Sequence, residues 1–255
     1  MWDNCTIFDA NRLEKVQLEA ARIVTGLTSY ASNQSLYLDT GWEKLSIRRE
    51  RRKLCIFYNI VNGSAPSYLH DLLPRTVGQI NNYNLRNAND FNLPAGRLSI
   101  YQKSFLPSTI RLWNNLPANI RDSPSTESFK FNLKNSYDTP KKPPDFYFVG
   151  SRLGNILHSR LRRKCSSLKS DLFRCNIIDT CYCDCGNYIE SAEHFFLICP
   201  RYTAQRVNLL HGIRNLNFEI SVENILFGNS DMDSDKNSRL FVLVQKFILD
   251  SKRFV

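Results

Sequence analysis

The stretch Cys181–Pro200 reads Cys-Tyr-Cys-Asp-Cys-Gly-Asn-Tyr-Ile-Glu-Ser-Ala-Glu-His-Phe-Phe-Leu-Ile-Cys-Pro, and it restricts the fold of this chain more than any other segment. Cys183 and Cys185 stand before a glycine, eight residues separate Cys185 from His194, and four separate His194 from Cys199. Three thiols and one imidazole make a closed tetrahedral shell that suits Zn²⁺. Gly186 permits a tight backbone turn below a metal, and Glu190-Ser191 can start a short helix carrying His194. Pro200 ends that helix. A residue before proline is pushed out of the α region, which can turn the Cys199 sulfur back toward the metal. Cys181 offers an alternative Cys-x₃-Cys pair with Cys185. The bland reading of the same residues is four unrelated members of a core.

Eight cysteines would suggest a disulfide framework in a small secreted domain. Here Cys175, Cys181, Cys183 and Cys185 crowd together while Cys5, Cys55, Cys165 and Cys199 are scattered, a pattern that favours metal over bridges. Charged residues occupy the N-terminus where a signal peptide has its apolar segment, so an intracellular protein, nuclear and/or cytoplasmic, is expected. No stretch approaches the roughly twenty apolar residues that span a bilayer, and no membrane partner is expected. The net charge of +10 favours polyanions, with RNA and/or DNA the default partner and no small-molecule substrate indicated.

Apolar periodicity predicts a mostly α fold, with small α+β content possible. The chain divides into a helical region 1–139, a Pro-rich linker 140–149 around Pro140, Pro143 and Pro144, and a region 150–255 holding a basic helix, the zinc knuckle and terminal helices. A first helix from Asp9 carries Leu13, Val16, Ala20, Ile23, Val24 and Leu27, with Asp9 as N-cap and Gly26 near its end. Because so little precedes it, beginning Met1-Trp2-Asp3, the chain reads as a fragment. A second helix spans 40–61 and carries Arg48-Arg49-Glu50-Arg51-Arg52-Lys53, which reads as a phosphate contact, a nuclear localisation signal or a solvated face. The segment 74–96 is loop with room for one hairpin. Trp113 is a core residue or a base-stacking one, and Ser123-Pro124-Ser125 opens a helix through Phe129 and Leu133 with serine as cap and proline in the first turn.

Asn155 to Leu168 makes an amphipathic helix with Leu157, Leu161, Cys165 and Leu168 inward and Arg162 and Arg163 facing away. Arg160 and Lys164 flank the stripe, and His158 at its edge is a packed or capping histidine rather than a ligand. Seven basic residues against the single acid Asp171 lie between Arg152 and Arg174. Arg152, Arg160, Arg162, Arg163, Lys164 and Arg174 are therefore the candidate nucleic-acid contacts, immediately before the cysteine cluster. A helix from Tyr202 should stop at Gly212, a capped turn should run from Ser221 to Phe227, and a terminal helix should begin at Ser234.

With these residues laid out, the chain resembles the C-terminal region of the reverse-transcriptase polyprotein of a non-LTR (LINE-type) retrotransposon, nearly end to end. The resemblance rests on Leu13-Glu14-Lys15-Val16-Gln17, on Tyr101…Ser104-Phe105-Leu106-Pro107…Leu112-Trp113-Asn114-Asn115-Leu116-Pro117, and on Gly150-Ser151-Arg152 followed by His158 and Leu161. It continues through Cys183-x-Cys185-Gly186…Glu193-His194-Phe195…Cys199-Pro200, Phe227-Gly228 and Arg253-Phe254. The resemblance implies an upstream polymerase domain and a Cys-Cys-His-Cys knuckle that helps hold RNA or target DNA. It matches the first two ligands to Cys183 and Cys185.

No Tyr-x-Asp-Asp motif for catalytic metals is present, so no polymerase activity is expected, and a shell filled by four protein ligands leaves no open position for hydrolysis. Pro144-Asp145 faintly resembles a restriction-like nuclease motif but lies before the knuckle instead of after it. Glu193 beside His194 reads as a surface or supporting residue, not a general base. Two further readings stand beside nucleic-acid binding: a zinc-stabilised interaction module packing on the polymerase domain, and a non-functional remnant.

Overall fold

The computed structural model describes residues 5–81, 86–93, 95–137, 143–186 and 188–254. The opening Met1-Trp2-Asp3 and part of the 74–96 segment lie outside them, as do residues 140–142 and the Asp145 side chain. The described chain is mostly α-helical, and its β pairing consists of the isolated bridges Thr76↔Phe91 and Tyr182↔Ile189. None of these helices is long and apolar enough to cross a membrane.

The residues group into two compact units, Met1–Lys15 with Glu43–Thr139, and Val16–Trp42 with Pro140–Val255. Val16–Trp42 thus belongs with the C-terminal half, a grouping that a division at residues 140–149 alone does not contain. Nor is the described part of that proline-rich segment a bare spacer: Asp145–Phe148 is a short 3₁₀ turn, and the Tyr147 hydroxyl donates to Asp39 at 2.7 Å within the second unit.

The first unit is built on the helix Leu45–Val61, whose Leu54, Phe57 and Tyr58 meet Ile110 and Trp113 of Phe105–Asn114 and Phe129 and Leu133 of Thr126–Ser136. Trp113 is buried in this core, 5.2 Å from Phe57 and 5.9 Å from Phe129 between ring centroids, which decides between its two readings. Aromatic pairs at such distances add roughly 0.5–1.5 kcal/mol each beyond area burial. Tyr58 stacks on Phe129 and donates its hydroxyl to the Ser123 carbonyl at 2.6 Å, so its one polar atom is satisfied inside the core.

Several boundaries differ from those read along the sequence, each for a local reason. The second helix begins at Leu45, not residue 40, and a separate helix Asn33–Thr40 precedes it. Lys44 cannot cap Leu45, and the Glu14 carboxylate accepts that exposed N–H instead, at 3.0 Å. In the first helix, Ile7–Thr25, Thr6 is the capping residue: its hydroxyl accepts from the Asp9 N–H and donates to the Asp9 carboxylate. Its buried residues are Leu18, Ala21 and Thr25, while Val16, Ile23 and Val24 of the expected stripe are exposed. The cap of Thr126–Ser136 is Ser125 and not a serine before the proline, so Pro124 precedes the cap instead of entering the first turn.

The second unit centres on three helices, Arg152–Arg162, Thr203–Asn215 and Ser234–Asp250, with the last packed on the other two. Gly212 lies inside Thr203–Asn215 and does not end it. A Cβ there would come within 2.6 Å of Leu243, so the residue serves close approach to the terminal helix. The basic helix ends at Arg162, short of the expected Leu168. Lys164 adopts a left-handed conformation (φ 52°), Cys165 N–H reaches the Arg160 carbonyl and Lys164 N–H the Leu161 carbonyl, a Schellman termination.

Candidate metal centre

The cysteine-rich segment folds as a small hairpin. Cys183 N–H donates to Tyr188 O at 2.7 Å and Glu190 N–H to Cys181 O at 2.8 Å, flanking the Tyr182↔Ile189 bridge. Gly186, at φ 146°, sits where an L-residue would be strained, and its N–H closes the turn onto Cys183 O at 3.2 Å. Ser191 then opens a helical turn, its hydroxyl accepting from His194 N–H at 3.2 Å. The turn continues as one π turn over His194–Ile198, closed by Cys199 N–H to His194 O at 2.7 Å.

That π turn explains how a four-residue gap can serve two ligands. In an α-helix, residues five apart point about 140° away from each other, whereas an i→i+5 hydrogen bond brings Cys199 back beneath His194. Cys199, before Pro200, leaves the helix at φ −55°, ψ 122°, as expected of a pre-proline residue. Arg206 holds this bend from below, donating to the Phe196 carbonyl at 2.8 Å and to the Cys199 carbonyl.

Cys183, Cys185, His194 and Cys199 thereby bring their candidate ligand atoms within 4.8 Å of one another, a group that could hold a metal ion. Cys183 Sγ lies 3.8 Å from Cys199 Sγ. Two sulfurs each about 2.3 Å from a shared tetrahedral metal stand about 3.8 Å apart, so this edge already fits. Cys185 Sγ and His194 Nε2 are 3.1 Å apart, a thiol–imidazole hydrogen bond. A metal would widen this contact by a few tenths of an ångström. Cys181 is not in the cluster, and Cys183 is the candidate ligand at the first position. Glu193 is exposed, in keeping with a surface residue.

The electrostatics of the cluster follow from crowding. Burial, then hydrogen bonds and charge from Cys183 and Cys199, push the Cys185 thiol up to about 12. The Cys199 thiol is raised too, by burial first. Three thiolates cannot gather here unless a cation compensates them, and a bound dication reverses that logic. Burial lowers the His194 pKa and so favours the neutral imidazole a metal requires. Its ring stacks on Tyr188 at 5.5 Å, and its buried Nδ1 has no hydrogen-bond partner among the described residues.

The knuckle is fastened to the core from outside the ligand set. Glu190 is buried, and Arg253 grips it through two contacts of 2.7 Å while Lys169 N–H donates at 2.9 Å. Burial opposes the Glu190 charge, but Arg253 and that N–H outweigh it and hold the carboxyl below its ordinary value. Phe254 packs edge-on against Phe195, 5.2 Å away. The closing Arg253-Phe254 pair is therefore a latch on the knuckle. Sequence reasoning picked out that pair without its role and missed Arg206 and Asp39, which are unremarkable polar residues until the fold brings their partners to them.

The basic residues of 152–174 do not form the open face expected of them. Arg162, expected to face away, is only 4% exposed. Its guanidinium donates to Leu226 O, lies 3.0 Å from His158 Nδ1, and stacks 3.9 Å from the Phe146 ring and 4.9 Å from that of Phe241. Arg163 pairs with the buried Asp39, Arg152 donates to the Ile23 and Val24 carbonyls, Arg160 to Gly26 O, and Arg174 to Lys164 O. Lys164 is exposed. His158 is fully buried, with Nε2 3.1 Å from Ile225 O. A carbonyl only accepts, so Nε2 carries the proton and Nδ1 accepts from Arg162. His158 is a packed histidine, as its place on the stripe implied.

No family model, curated protein or solved structure matches this chain.

Proposed function

We propose that this chain is a zinc-dependent nucleic-acid-binding segment, non-catalytic by itself, from the tail of a retrotransposon reverse-transcriptase polyprotein. The observation that carries the reading is the cluster of Cys183, Cys185, His194 and Cys199. Three sulfurs and one imidazole select Zn²⁺ among common intracellular metals and fill its four positions, leaving none for a reacting water. Bound zinc would supply charge for the thiolates and a cross-link between hairpin and π turn. The net charge of +10 and the motif resemblance support a polyanionic partner.

Metal analysis of the purified full chain should give one zinc per molecule, with Cys181→Ser retaining it and Cys183→Ser losing most of it. Binding of labelled RNA and DNA, followed by fluorescence anisotropy, should weaken steeply as salt rises. A zinc-free folded protein would remove the metal reading. An affinity that barely changes between low and moderate salt would remove the nucleic-acid reading.

A second reading, a zinc-stabilised interaction module, is favoured by one specific observation: the guanidinium groups of Arg152, Arg160, Arg162, Arg163 and Arg174 are all engaged within the chain. Substituting Arg162 or Arg163 would disturb the fold and cannot separate the two readings. Salt-independent or absent nucleic-acid binding by a folded, zinc-loaded chain would favour the module.

A further inference from the structure

If the arginines beside the knuckle are spent on the fold, a nucleic-acid partner must find cations elsewhere. The helix Leu45–Val61 carries five basic residues and one acid between Arg48 and Lys53. At about 100° per residue, Arg48, Arg52 and Arg49 fall within one stripe about 100° wide, and Glu50 falls on the far side. The buried residues Leu54, Phe57, Tyr58 and Ile60 occupy the remaining circumference.

The other two cations of the run have internal work. Arg51 donates to Glu43 at 2.7 Å and Lys53 to Ser108 at 3.0 Å. By contrast, Arg49 and Arg52 make no hydrogen bond or ion pair with the described residues. Arg48, 52% exposed, has only a loose 3.7 Å approach to the Glu43 carboxylate that Arg51 already holds. Like charges three and four residues apart on a helix repel, so this stripe works against the helix that bears it. It is relieved by an anion lattice of similar pitch, and guanidinium groups suit phosphate oxygens in particular.

We infer that Arg48, Arg49 and Arg52 form a phosphate-backbone contact face for RNA or DNA on the first unit, distinct from the knuckle. This rests on the nucleic-acid reading above. Contacts of this kind position the polymer without reading its sequence.

The test uses the full zinc-loaded chain with a labelled oligouridine in one arm and a labelled DNA duplex in the other. The triple variant Arg48→Gln, Arg49→Gln, Arg52→Gln should keep its helicity and zinc content. It should bind at least about tenfold more weakly at moderate salt, with the log–log salt slope reduced by about 2 to 3. The matching triple lysine variant should retain most of the slope, and the stronger arm identifies the preferred polymer. Should the glutamine triple not fold, each single glutamine variant should lower the slope by just under one. Wild-type affinity and slope in the folded glutamine variants, or their loss only in Lys164→Gln, would overturn the assignment while leaving nucleic-acid binding in place. Failure of the unmodified chain to bind either polymer would overturn both.

Discussion

Arg162 and His158 illustrate how a polar pair can be part of a core. Burial lowers the Arg162 guanidinium from its ordinary value, yet two aromatic faces, a carbonyl and an imidazole lone pair engage it, leaving only Nη1 without a hydrogen-bond partner among the described residues. Burial first, and the charge of Arg162 second, keep His158 neutral well below its ordinary pKa. In the unfolded chain the same imidazole takes up a proton near pH 6.5. The unfolded state therefore binds more protons as pH falls below that point, and stability declines by up to about 1.4 kcal/mol per pH unit. Relative to the unmodified chain, His158→Gln should flatten the stability curve between about pH 6.5 and pH 5 in chemical denaturation; an unchanged slope would mean that the imidazole is not held neutral. The candidate metal ligands were legible because few residue types bind metals such as zinc and here they crowd together. Arg162 was not: periodicity placed it facing away from the apolar stripe, and nothing local announced that Phe146 and Phe241 would close over it.

Helices were easier to find than their ends. Leu157 and Leu161 gave the period of the basic helix, and Cys165 and Leu168 continued it in the sequence, although the backbone turns at Lys164. Apolar residues beyond a Schellman turn can be buried as well as those within the helix, so the pattern overruns the element. Cys165 and Leu168 are both buried. Lysine at the left-handed position carries a steric cost that glycine avoids. Lys164→Gly should accordingly raise unfolding free energy by about 0.5–1 kcal/mol after allowing for glycine's greater freedom in the unfolded chain. Thermal or urea denaturation would measure this, and a destabilised variant would show that the lysine side chain holds the turn by a contact of its own. The π turn at His194 is the opposite case: His-x₄-Cys before proline stated the constraint, and that bend is how the chain meets it.

Across the whole molecule, the candidate metal cluster belongs to one core and not the other. Cys183 and Cys199 are buried with Leu157, Leu161, Phe195, Phe196, Leu240 and Phe247, whereas the core of Leu54, Phe57, Trp113 and Phe129 contains no member of the cluster. Structural zinc contributes on the order of 10–16 kcal/mol of apparent binding energy, comparable to or larger than the roughly 5–15 kcal/mol that holds a whole domain. Without a bound cation, three crowded thiols and an imidazole are left in a site that Arg206 and the Arg253 latch can shape but not neutralise. Chelation should thus abolish amide-exchange protection in Arg152–Arg162, Thr203–Asn215 and Ser234–Asp250, while Leu45–Val61 and Thr126–Ser136 keep theirs. Hydrogen exchange read by mass spectrometry, with and without a zinc chelator, separates the outcomes. Uniform loss would make the two units one cooperative system, and undiminished protection everywhere would show that the metal adds nothing to a fold its ligands already complete.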